Sequence, residues 1–475
     1  MSRRRGANAL FAASLIAQGC TLLRYTALAR LLGPEQLGLA ATLILTVTFF
    51  ELAADTGSDR FLILENGDQH SCQRLAQLVL VVRGLLIAAA LVAFAVPLSA
   101  FYKRSDLATG FMFVAISPLI SGFLHLDFRR VQRKGDFRPE SLGLLASEIA
   151  SLVVTLVAAF ATRNFTAVLY GLIARALVLV TVSHMTAERR YEIGYSPDHA
   201  ARLARFSLPL MLNGLILFLG GQGDRFVVAS QIGVEQLGYY SAVTLLVYYP
   251  SGLLLRYIHA IYLPVAAREK DLQARKSVVE ELLAGTTLLL ALAMAAGFTI
   301  VGPPSVVILY GAAFTQPALL VGLIGILQAC RFLIVWPTTI ALAGGRSGIV
   351  LISNMFRLVA WPASIAAVHI WGGLFGIVTG FITGELAALV MAFVLLSRSD
   401  SRPLLPRLQR LGALIFGSAI LVGWIFVAEQ PSLIGILLLL SCSIALIGFI
   451  FARERVSING AVRHVKHLAT LTAKR

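Results

Sequence analysis

Long apolar stretches of about 20 residues alternate with short polar links along most of the chain. A helix needs about 20 mostly apolar residues to cross the hydrocarbon core of a membrane. The pattern therefore predicts an all-α polytopic membrane protein with about 14 transmembrane helices, arranged as six, six and a final pair. The predicted spans are residues 8–32, 37–62, 76–99, 107–128, 140–161, 166–187, 205–229, 236–262, 280–304, 315–342, 348–370, 372–397, 409–428 and 431–452.

A six-residue repeat divides these spans into two related halves. Residues 33–38 read GPEQLG and residues 233–238 read GVEQLG, and each copy lies between two apolar stretches. Two related halves in a membrane protein are typical of transporters whose substrate site lies between them. We expect the repeated glycines to end helices. The predicted organisation is a six-helix lobe at 1–190, a second at 200–398, an extra helix pair at 405–453 and a basic tail at 454–475.

Composition supports a membrane location for the whole chain. The chain is 58% hydrophobic and 13% charged, whereas a soluble protein carries about 25% charged residues. A net charge of +16 would indicate nucleic acid in a soluble protein. Here Lys and Arg are concentrated in alternate loops, and the remaining loops hold only Lys103, Arg104 and Arg163. This asymmetry predicts that both termini are cytoplasmic and that nucleic acid is not a partner.

Residue types that carry enzyme chemistry form no recognisable motif. The four cysteines are scattered without metal-ligand spacing, so we predict no disulfide framework and no metal site. The chain has no P-loop and no evident pairing of a nucleophile with a base. We therefore predict a protein that is not an enzyme and needs no cofactor.

Arginines recur within the predicted spans, where an ionised side chain costs at least about 2.5–3.5 kcal/mol. Such residues should face a water-filled cavity or one another. Arg24 and Arg225 lie in the outer halves of the first and seventh spans, which the repeat relates to each other. A guanidinium pair at comparable depth suits a diphosphate, because each planar fork can bind an oxyanion through two hydrogen bonds. The candidate substrate-binding residues are Arg24, Arg225, Arg256, Arg331, Arg357 and Arg175.

These arginines also have structural interpretations, which the residues alone leave open. A neighbouring carboxylate can neutralise a buried guanidinium, and an arginine near a helix end can extend to the membrane interface. The structural partners considered are Asp224 for Arg225 and Glu385 for Arg331 and Arg357, with Arg256 as the interfacial residue.

Acidic residues form a stripe in the second predicted span. Glu51, Asp55 and Asp59 follow one another at four-residue spacing, which places them on one face of a continuous helix. One interpretation is a proton or sodium site coupled to transport, with Glu51, Asp55, Asp59 and Asp224 as coupling-ion candidates. The other is an ion-pair seam with Arg24, Arg83 or Arg60 that joins the first helices.

Several motifs together resemble a bacterial oligosaccharide-lipid flippase of the polysaccharide transporter family, within the multidrug/oligosaccharidyl-lipid/polysaccharide exporter superfamily. The matching segments are 29–38 (ARLLGPEQLG), 129–151 (RRVQRKGDFRPESLGLLASEIAS), 224–241 (DRFVVASQIGVEQLGYYS), 309–311 (LYG) and 354–357 (NMFR). The resemblance covers most of residues 7–398. The chain departs from it in having fourteen predicted spans rather than the frequent twelve, and Phe314 where Trp or Tyr is usual.

The resemblance implies two six-helix lobes around a central, often cationic cavity. It also implies a substrate carried on undecaprenyl diphosphate and moved by alternating access from the inner to the outer leaflet of the bacterial cytoplasmic (inner) membrane. Such a flippase would supply exopolysaccharide, capsule or O-antigen synthesis, with membrane lipids and polysaccharide polymerase and chain-length proteins as possible partners. The alternatives are a cation-coupled multidrug-type antiporter of the same superfamily and a membrane enzyme such as a glycan polymerase.

Overall fold

The computed structural model describes residues 2–64, 68–133, 135–268, 273–400, 403–429 and 432–449, and these residues form helices joined by short links, without a strand. The predicted basic tail at 454–475 lies outside this range. The helices are α1 Ser2–Ala53, α2 Ser58–Leu64, α3 Gln69–Ala93, α4 Ala95–Phe101, α5 Asp106–Val114, α6 Ile116–Ser121, α7 Asp127–Arg133, α8 Arg138–Thr162, α9 Thr166–Met185, α10 Pro197–Gly221, α11 Gly223–Val227, α12 Val234–Arg268, α13 Gln273–Ile300, α14 Gly302–Tyr310, α15 Ala318–Leu333, α16 Val335–Ala343, α17 Ser347–Arg357, α18 Ala360–Trp371, α19 Gly373–Asp400, α20 Leu405–Glu429 and α21 Leu433–Phe449. A π-helical turn at Val228–Ile232 follows α11, and a 3₁₀ turn at Ala312–Phe314 follows α14.

The all-α membrane fold predicted from the apolar stretches is confirmed. Within the described residues, 10 helical stretches are long and apolar enough to cross a membrane by length and composition, and shorter apolar helices accompany them. Each of the predicted spans contains helix. The number of fourteen crossings remains a prediction, because several spans are built from two short helices.

Prolines account for several of these divided spans. Pro97, Pro118, Pro337 and Pro362 each occupy the third position of the helix that follows a break. Proline lacks the backbone N–H of a helical hydrogen bond, and its ring collides with the carbonyl one turn earlier. The preceding helix therefore ends two or more residues before the proline, and a new helix starts there.

The chain forms two compact units, which are described separately. Unit 1 comprises Met1–Ala242 and Leu309–Phe314, and unit 2 comprises Val243–Ile308 and Thr315–Arg475. In unit 1, α8 packs against α1 and α9; in unit 2, α19 packs against α15, α17 and α18. The core of unit 2 centres on Trp336 and Phe393, whose ring centroids lie 4.9 Å apart. The lobe boundaries predicted from the repeat remain a prediction.

The two copies of the six-residue repeat meet within unit 1. Gly33 and Gly233 have φ of 79° and 129°, values that favour glycine, and each separates two helical segments as predicted. Gly38 and Gly238 do not end helices, which corrects that expectation. A Cβ on Gly38 would collide with the carbonyl oxygen of Val234, and a Cβ on Gly238 would collide with that of Pro34. The second glycine of each repeat therefore allows two backbones to touch.

A second contact explains why residues 309–314 belong to unit 1. Arg30 Nε donates a hydrogen bond of 2.8 Å to the carbonyl oxygen of Leu309, one of the last carbonyls of α14. Phe314 is buried, and its ring packs against Tyr239 and Tyr310 at centroid distances of 5.8 and 5.9 Å. The arginine of the 29–38 motif thus holds the turn that carries the LYG motif.

Candidate functional site

A buried carboxylate joins two of the predicted arginines in unit 1. Glu148 lies on α8 and is only 5% exposed. Its Oε1 lies 2.7 Å from Nε of Arg175 on α9, and its Oε2 lies 3.6 Å from Nη1 of Arg24 on α1. Ser151, one turn further along α8, accepts a hydrogen bond from Arg24 Nη1. Arg24, Glu148 and Arg175 are called the unit 1 triad.

Unit 2 contains the same kind of arrangement. Glu385 on α19 is 1% exposed, and its two oxygens accept hydrogen bonds of 2.9 Å from Nε of Arg331 and Nε of Arg357. Nη1 of Arg331 also donates to the Tyr248 hydroxyl, and its guanidinium carbon lies 5.6 Å from the Tyr248 ring centroid. Arg331, Glu385 and Arg357 are called the unit 2 triad. The pairing with Glu385 considered from the sequence is observed.

The two triads carry the same net charge but have exchanged residue types between helices. The acid lies in the fifth predicted span and an arginine in the sixth in unit 1, whereas the eleventh span carries Arg357 and the twelfth carries Glu385. Two guanidinium groups and one carboxylate leave a net charge of +1 in each triad. The unit 2 triad is largely buried, whereas the Arg175 side chain of the unit 1 triad is 44% exposed. An excess charge within a membrane protein needs a counterion or water, so each triad is suited to an anion.

Small residues allow the helices of each triad to approach closely. Gly376, Gly380 and Gly384 repeat at four-residue spacing along α19, and a Cβ on any of them would overlap backbone atoms of α18. In unit 1, a Cβ on Gly171 of α9 would meet the Thr155 side chain of α8. Close helix approach at small residues is the usual packing mode within membranes. This packing fixes Glu385, the next residue after Gly384, at the α18–α19 contact.

Arg225 and its neighbour Asp224 belong to the same unit as Arg24. The Tyr25 hydroxyl is within electrostatic range of both guanidinium groups and of Glu148. Asp224 is fully buried; its Oδ2 accepts a 2.9 Å hydrogen bond from the Tyr240 hydroxyl, and its Oδ1 accepts one from the Arg225 backbone N–H. Arg24 and Arg225 therefore belong to one polar region of unit 1.

The acidic stripe does not lie on one helix face, and that expectation was wrong. Helix α1 ends at Ala53, and Gly57 adopts a φ of 61° in the link that follows. Asp55 stabilises this link, because its Oδ1 accepts a 3.1 Å hydrogen bond from the Gly57 backbone N–H. Asp59 lies on the separate helix α2. A turn centred on glycine, which sequence periodicity does not reveal, thus replaces the expected continuous helix.

The same acids nevertheless line one cavity of about 340 Å³ in unit 1. Asp55 pairs at 3.4 Å with Arg60, one of the three partners considered from the sequence, and Asp59 pairs with Arg129 at 2.9 Å. Arg129 is a partner that the sequence did not suggest. The Glu51 carboxylate differs from both, since it makes no ion pair or hydrogen bond with any residue that the structure describes.

One predicted site residue has a side chain that the structure does not describe, and one residue of the site was missed by sequence reasoning. Arg256 lies on α12, and its side chain is outside the described residues. Glu148 was not among the predicted site residues, although it holds the unit 1 triad together. The signal that could have found it is the run Ser147, Ser151, Thr155 and Ala159, which marks a closely packed face beside it on α8.

Comparisons with known proteins agree with a transporter fold. Residues 27–318 match the model of a family described as polysaccharide biosynthesis protein. The chain is 22% identical over 384 residues to the succinoglycan biosynthesis transport protein ExoT of Rhizobium meliloti (strain 1021), covering 80% of this chain and 76% of that protein. A structure of the lipid II flippase MurJ in an inward closed conformation is similar with a TM-score of 0.67 and 13% identity, over 93% of this chain and 98% of that chain. An inward-facing multidrug resistance transporter of the MATE family is similar with a TM-score of 0.62 and 14% identity, over 81% and 94%.

Proposed function

Because this chain belongs to the family described as polysaccharide biosynthesis proteins, we propose that it flips a polyprenyl-diphosphate-linked oligosaccharide from the inner to the outer leaflet of the bacterial cytoplasmic membrane. The lipid-linked unit would serve exopolysaccharide, capsule or O-antigen synthesis, and the cycle would proceed by alternating access. The observation that carries the proposal is the cationic region of unit 1, where the unit 1 triad and Arg225 lie together.

The chemistry of such a substrate matches this region. A diphosphate is negatively charged and cannot cross hydrocarbon unless its charge is neutralised, whereas a polyprenyl tail is soluble in lipid. Arg24 and Arg175 exceed the charge of Glu148 by one unit, and Arg225 near Tyr25 adds a third guanidinium beside the buried Asp224 carboxylate, which keeps the excess at one positive charge. Guanidinium groups bind phosphate oxygens through paired, charge-assisted hydrogen bonds. The protein would thus give the head group a polar route while the tail remains in the membrane.

The orientation and partners are part of the same proposal. Basic loops alternate with loops that contain only Lys103, Arg104 and Arg163, which favours cytoplasmic termini. Polysaccharide polymerase and chain-length proteins would take the flipped unit at the outer leaflet, since a lipid-linked repeat unit must be joined into polymer there.

Replacing Arg24 or Arg225 with alanine should reduce glycan export about tenfold or more, because each change removes charge-assisted hydrogen bonds to the diphosphate. The measurement is surface polysaccharide in a strain that lacks the native gene and expresses each variant, together with the lipid-linked unit retained inside the cell. Arg190→Gln is the matched control, because Arg190 is exposed on a loop. Full export by the double alanine variant at native protein levels would reject the role in diphosphate binding.

We further propose that Glu51 takes up the cation that drives the cycle, with Asp55, Asp59 and Asp224 as the other coupling-ion candidates. The unpaired Glu51 carboxylate in a polar cavity supports a protonation or sodium site. Glu51→Gln should make transport into proteoliposomes insensitive to an imposed proton or sodium gradient. Asp106→Asn is the control, because Asp106 pairs with Arg104 and does not line the cavity of Glu51. Unchanged gradient dependence in a Glu51→Gln/Asp55→Asn double variant would refute the coupling role.

The Glu51 cavity and the similarity to a MATE transporter also favour a second candidate, a cation-coupled exporter of small molecules. The excess positive charge of both triads argues against organic cations as its substrates. A deletion strain that becomes sensitive to toxic cations while retaining its surface glycan would support this candidate over the flippase.

A further inference from the structure

The link between α9 and α10, residues 186–196, is bound to the rest of unit 1 through its backbone. In its first half, the Glu188 N–H donates a 2.8 Å hydrogen bond to Oδ2 of Asp127, at the start of α7. The Arg189 carbonyl oxygen lies 3.0 Å from Nε2 of His125, in the link between α6 and α7. Residues 186–196 are called the strap. Its first half thus depends on one short segment, which contains both His125 and Asp127.

The second half of the strap is held by charged groups of α3. The Gly194 N–H donates a 3.3 Å hydrogen bond to the carbonyl oxygen of Arg74. The Glu192 carboxylate lies 3.5 Å from Nε of Arg74 and 3.7 Å from Nε2 of His70. Protonation of His70 would place a positive charge beside Glu192, so acidic conditions do not weaken this half of the strap.

His125 can hold the first half of the strap only as a neutral ring. Its Nδ1 accepts a 3.1 Å hydrogen bond from the Asp127 N–H, so this nitrogen carries no proton. Its Nε2 therefore carries the proton of the neutral ring and donates to the Arg189 carbonyl oxygen. A second proton, on Nδ1, would point at the Asp127 N–H and break that hydrogen bond. The charged ring is thus incompatible with the geometry that binds the strap.

The rings around His125 also disfavour a charge on it. His125 is 1% exposed, and its ring packs against those of His184 and Tyr191 at centroid distances of 5.2 and 5.5 Å. Nε2 of His184, at the end of α9, lies 2.9 Å from the carbonyl oxygen of Phe123, and a protonated ring would keep this bond. A protonated His184 would therefore remain in place and repel a second charge on His125.

The charged groups beside the ring neutralise one another. Nε and Nη2 of Arg130 donate to the two oxygens of Asp127 at 2.6 and 3.0 Å. The same Nη2 donates to Oε2 of Glu188 at 2.5 Å. Arg189 brings a second guanidinium, so two carboxylates and two guanidinium groups lie around the ring. A charge on His125 would be in excess of this balance at a buried position, which is costly.

We propose that His125 is a pH-sensitive switch that releases the first half of the strap, residues 186–191, when its ring takes up a second proton. The released segment exposes His125 to water and allows protonation, whereas the bound strap excludes it. An exposed histidine has a pKa of about 6.5, so the strap stays bound above that pH. Release grows about tenfold for each pH unit below it, because only the released form binds the proton.

The position of the strap gives the switch its consequence for transport. The strap joins the sixth predicted span to the seventh, so its release would free the connection between the two predicted lobes. Under the proposed orientation this connection lies on the cytoplasmic side, and the switch would respond to acidification of the cytoplasm. The proposal depends on contacts within unit 1 and not on the identity of the transported molecule.

Hydrogen–deuterium exchange of the purified full-length protein in lipid nanodiscs tests the switch. After correction for intrinsic exchange rates, protection of residues 186–191 should fall about tenfold between about pH 7.5 and about pH 5.5, since histidine titrates within this range. Asp127 and Glu188 remain ionised there, because carboxyl groups titrate near pH 4. Protection at Gly194 should not fall, since acid adds a charge to His70 and strengthens its pair with Glu192.

Three variants identify the group that titrates. His125→Asn supplies an amide oxygen as acceptor but cannot be protonated, so protection should be lower than in wild type and independent of pH. His184→Gln can still donate to the Phe123 carbonyl and should retain the pH-dependent loss. His369→Asn is the matched control, because His369 is exposed on α18 of unit 2, and it should match wild type.

Each result decides for or against the switch. Equal protection of residues 186–191 in wild type at both pH values would overturn it, and so would a pH-dependent loss that persists in His125→Asn. If His125→Asn does not fold, His184→Gln still decides, since disappearance of the pH dependence in that variant would assign the titration to His184. A wild-type loss that extends equally to Gly194 would also contradict the proposal, because acid would then detach the whole strap.

Discussion

Replacing Glu385 with glutamine should lower the free energy of unfolding by about 3–5 kcal/mol, because it leaves two buried guanidinium groups without their shared carboxylate. Each carboxylate oxygen now accepts from one arginine at 2.9 Å. A glutamine amide offers only one acceptor and would turn an N–H₂ donor toward the other arginine. Reversible unfolding in mixed micelles, followed by helix content, gives the change in free energy.

A second substitution should partly relieve this loss. In the Glu385→Gln/Arg357→Gln double variant, only Arg331 remains charged, and Tyr248 still accepts from it. The double variant should therefore be more stable than Glu385→Gln alone, which gives a measurable coupling energy between the two residues. Glu192→Gln is the control: its ion pair with Arg74 is more than 40% exposed on both sides, so the expected change is about 0–1 kcal/mol. A Glu385→Gln variant as stable as this control would show that the triad does not stabilise unit 2.

Sequence reasoning succeeded where a physical rule acts over a whole segment. Apolar length predicted where the helices lie, and the repeat predicted the helix breaks at Gly33 and Gly233. The charge cost of an arginine in a membrane also indicated that Arg331 and Arg357 need a partner, which Glu385 supplies. These inferences depend on composition and order along the chain, and both are visible in the sequence.

Sequence reasoning failed where a single turn or a contact between residues far apart in the chain decides the geometry. The expected stripe of Glu51, Asp55 and Asp59 assumed a continuous helix, but Gly57 and the Asp55 side chain favour a turn after Ala53. Apolar periodicity carries no signal for such a turn, because the link is short and its flanks are helical. Glu148 was missed as the partner of Arg24 for a different reason: the two residues lie 124 positions apart, and only helix packing brings them together.

The two triads share a charge arrangement although acid and base lie on different helices in each unit. In both units a buried glutamate fixes Nε of an arginine on the helix packed beside it, although acid and base have exchanged helices. Both arrangements have a net charge of +1, which suits an anionic substrate. The third arginine lies on α1 in unit 1 and on α15 in unit 2, so the 200-residue offset does not relate the two triads.

Replacing Gly38 with alanine should destabilise the protein by at least about 1–3 kcal/mol, because the new Cβ would occupy the position of the Val234 carbonyl oxygen. A backbone atom cannot rotate away as a flexible side chain can, so the two repeats must separate. Gly19→Ala is the matched control on the same helix, since a Cβ there meets nothing within 4 Å. Alanine at that position should be neutral or slightly stabilising through its higher helix propensity. Thermal midpoints of the purified variants measure both effects.

A further prediction concerns the variant in which both Gly38 and Gly238 are replaced with alanine, because each glycine packs against the other. A Cβ on Gly238 would lie 3.0 Å from the Gly38 nitrogen, and a Cβ on Gly38 would lie 3.1 Å from the Gly238 nitrogen, so both glycines serve one crossing point. Once the first alanine has separated the two backbones, the second has little further contact to break. The loss in Gly38→Ala/Gly238→Ala should therefore be clearly smaller than the sum of the single losses. Strict additivity would mean that each glycine acts on its own helix, and that the repeats do not support each other at this point.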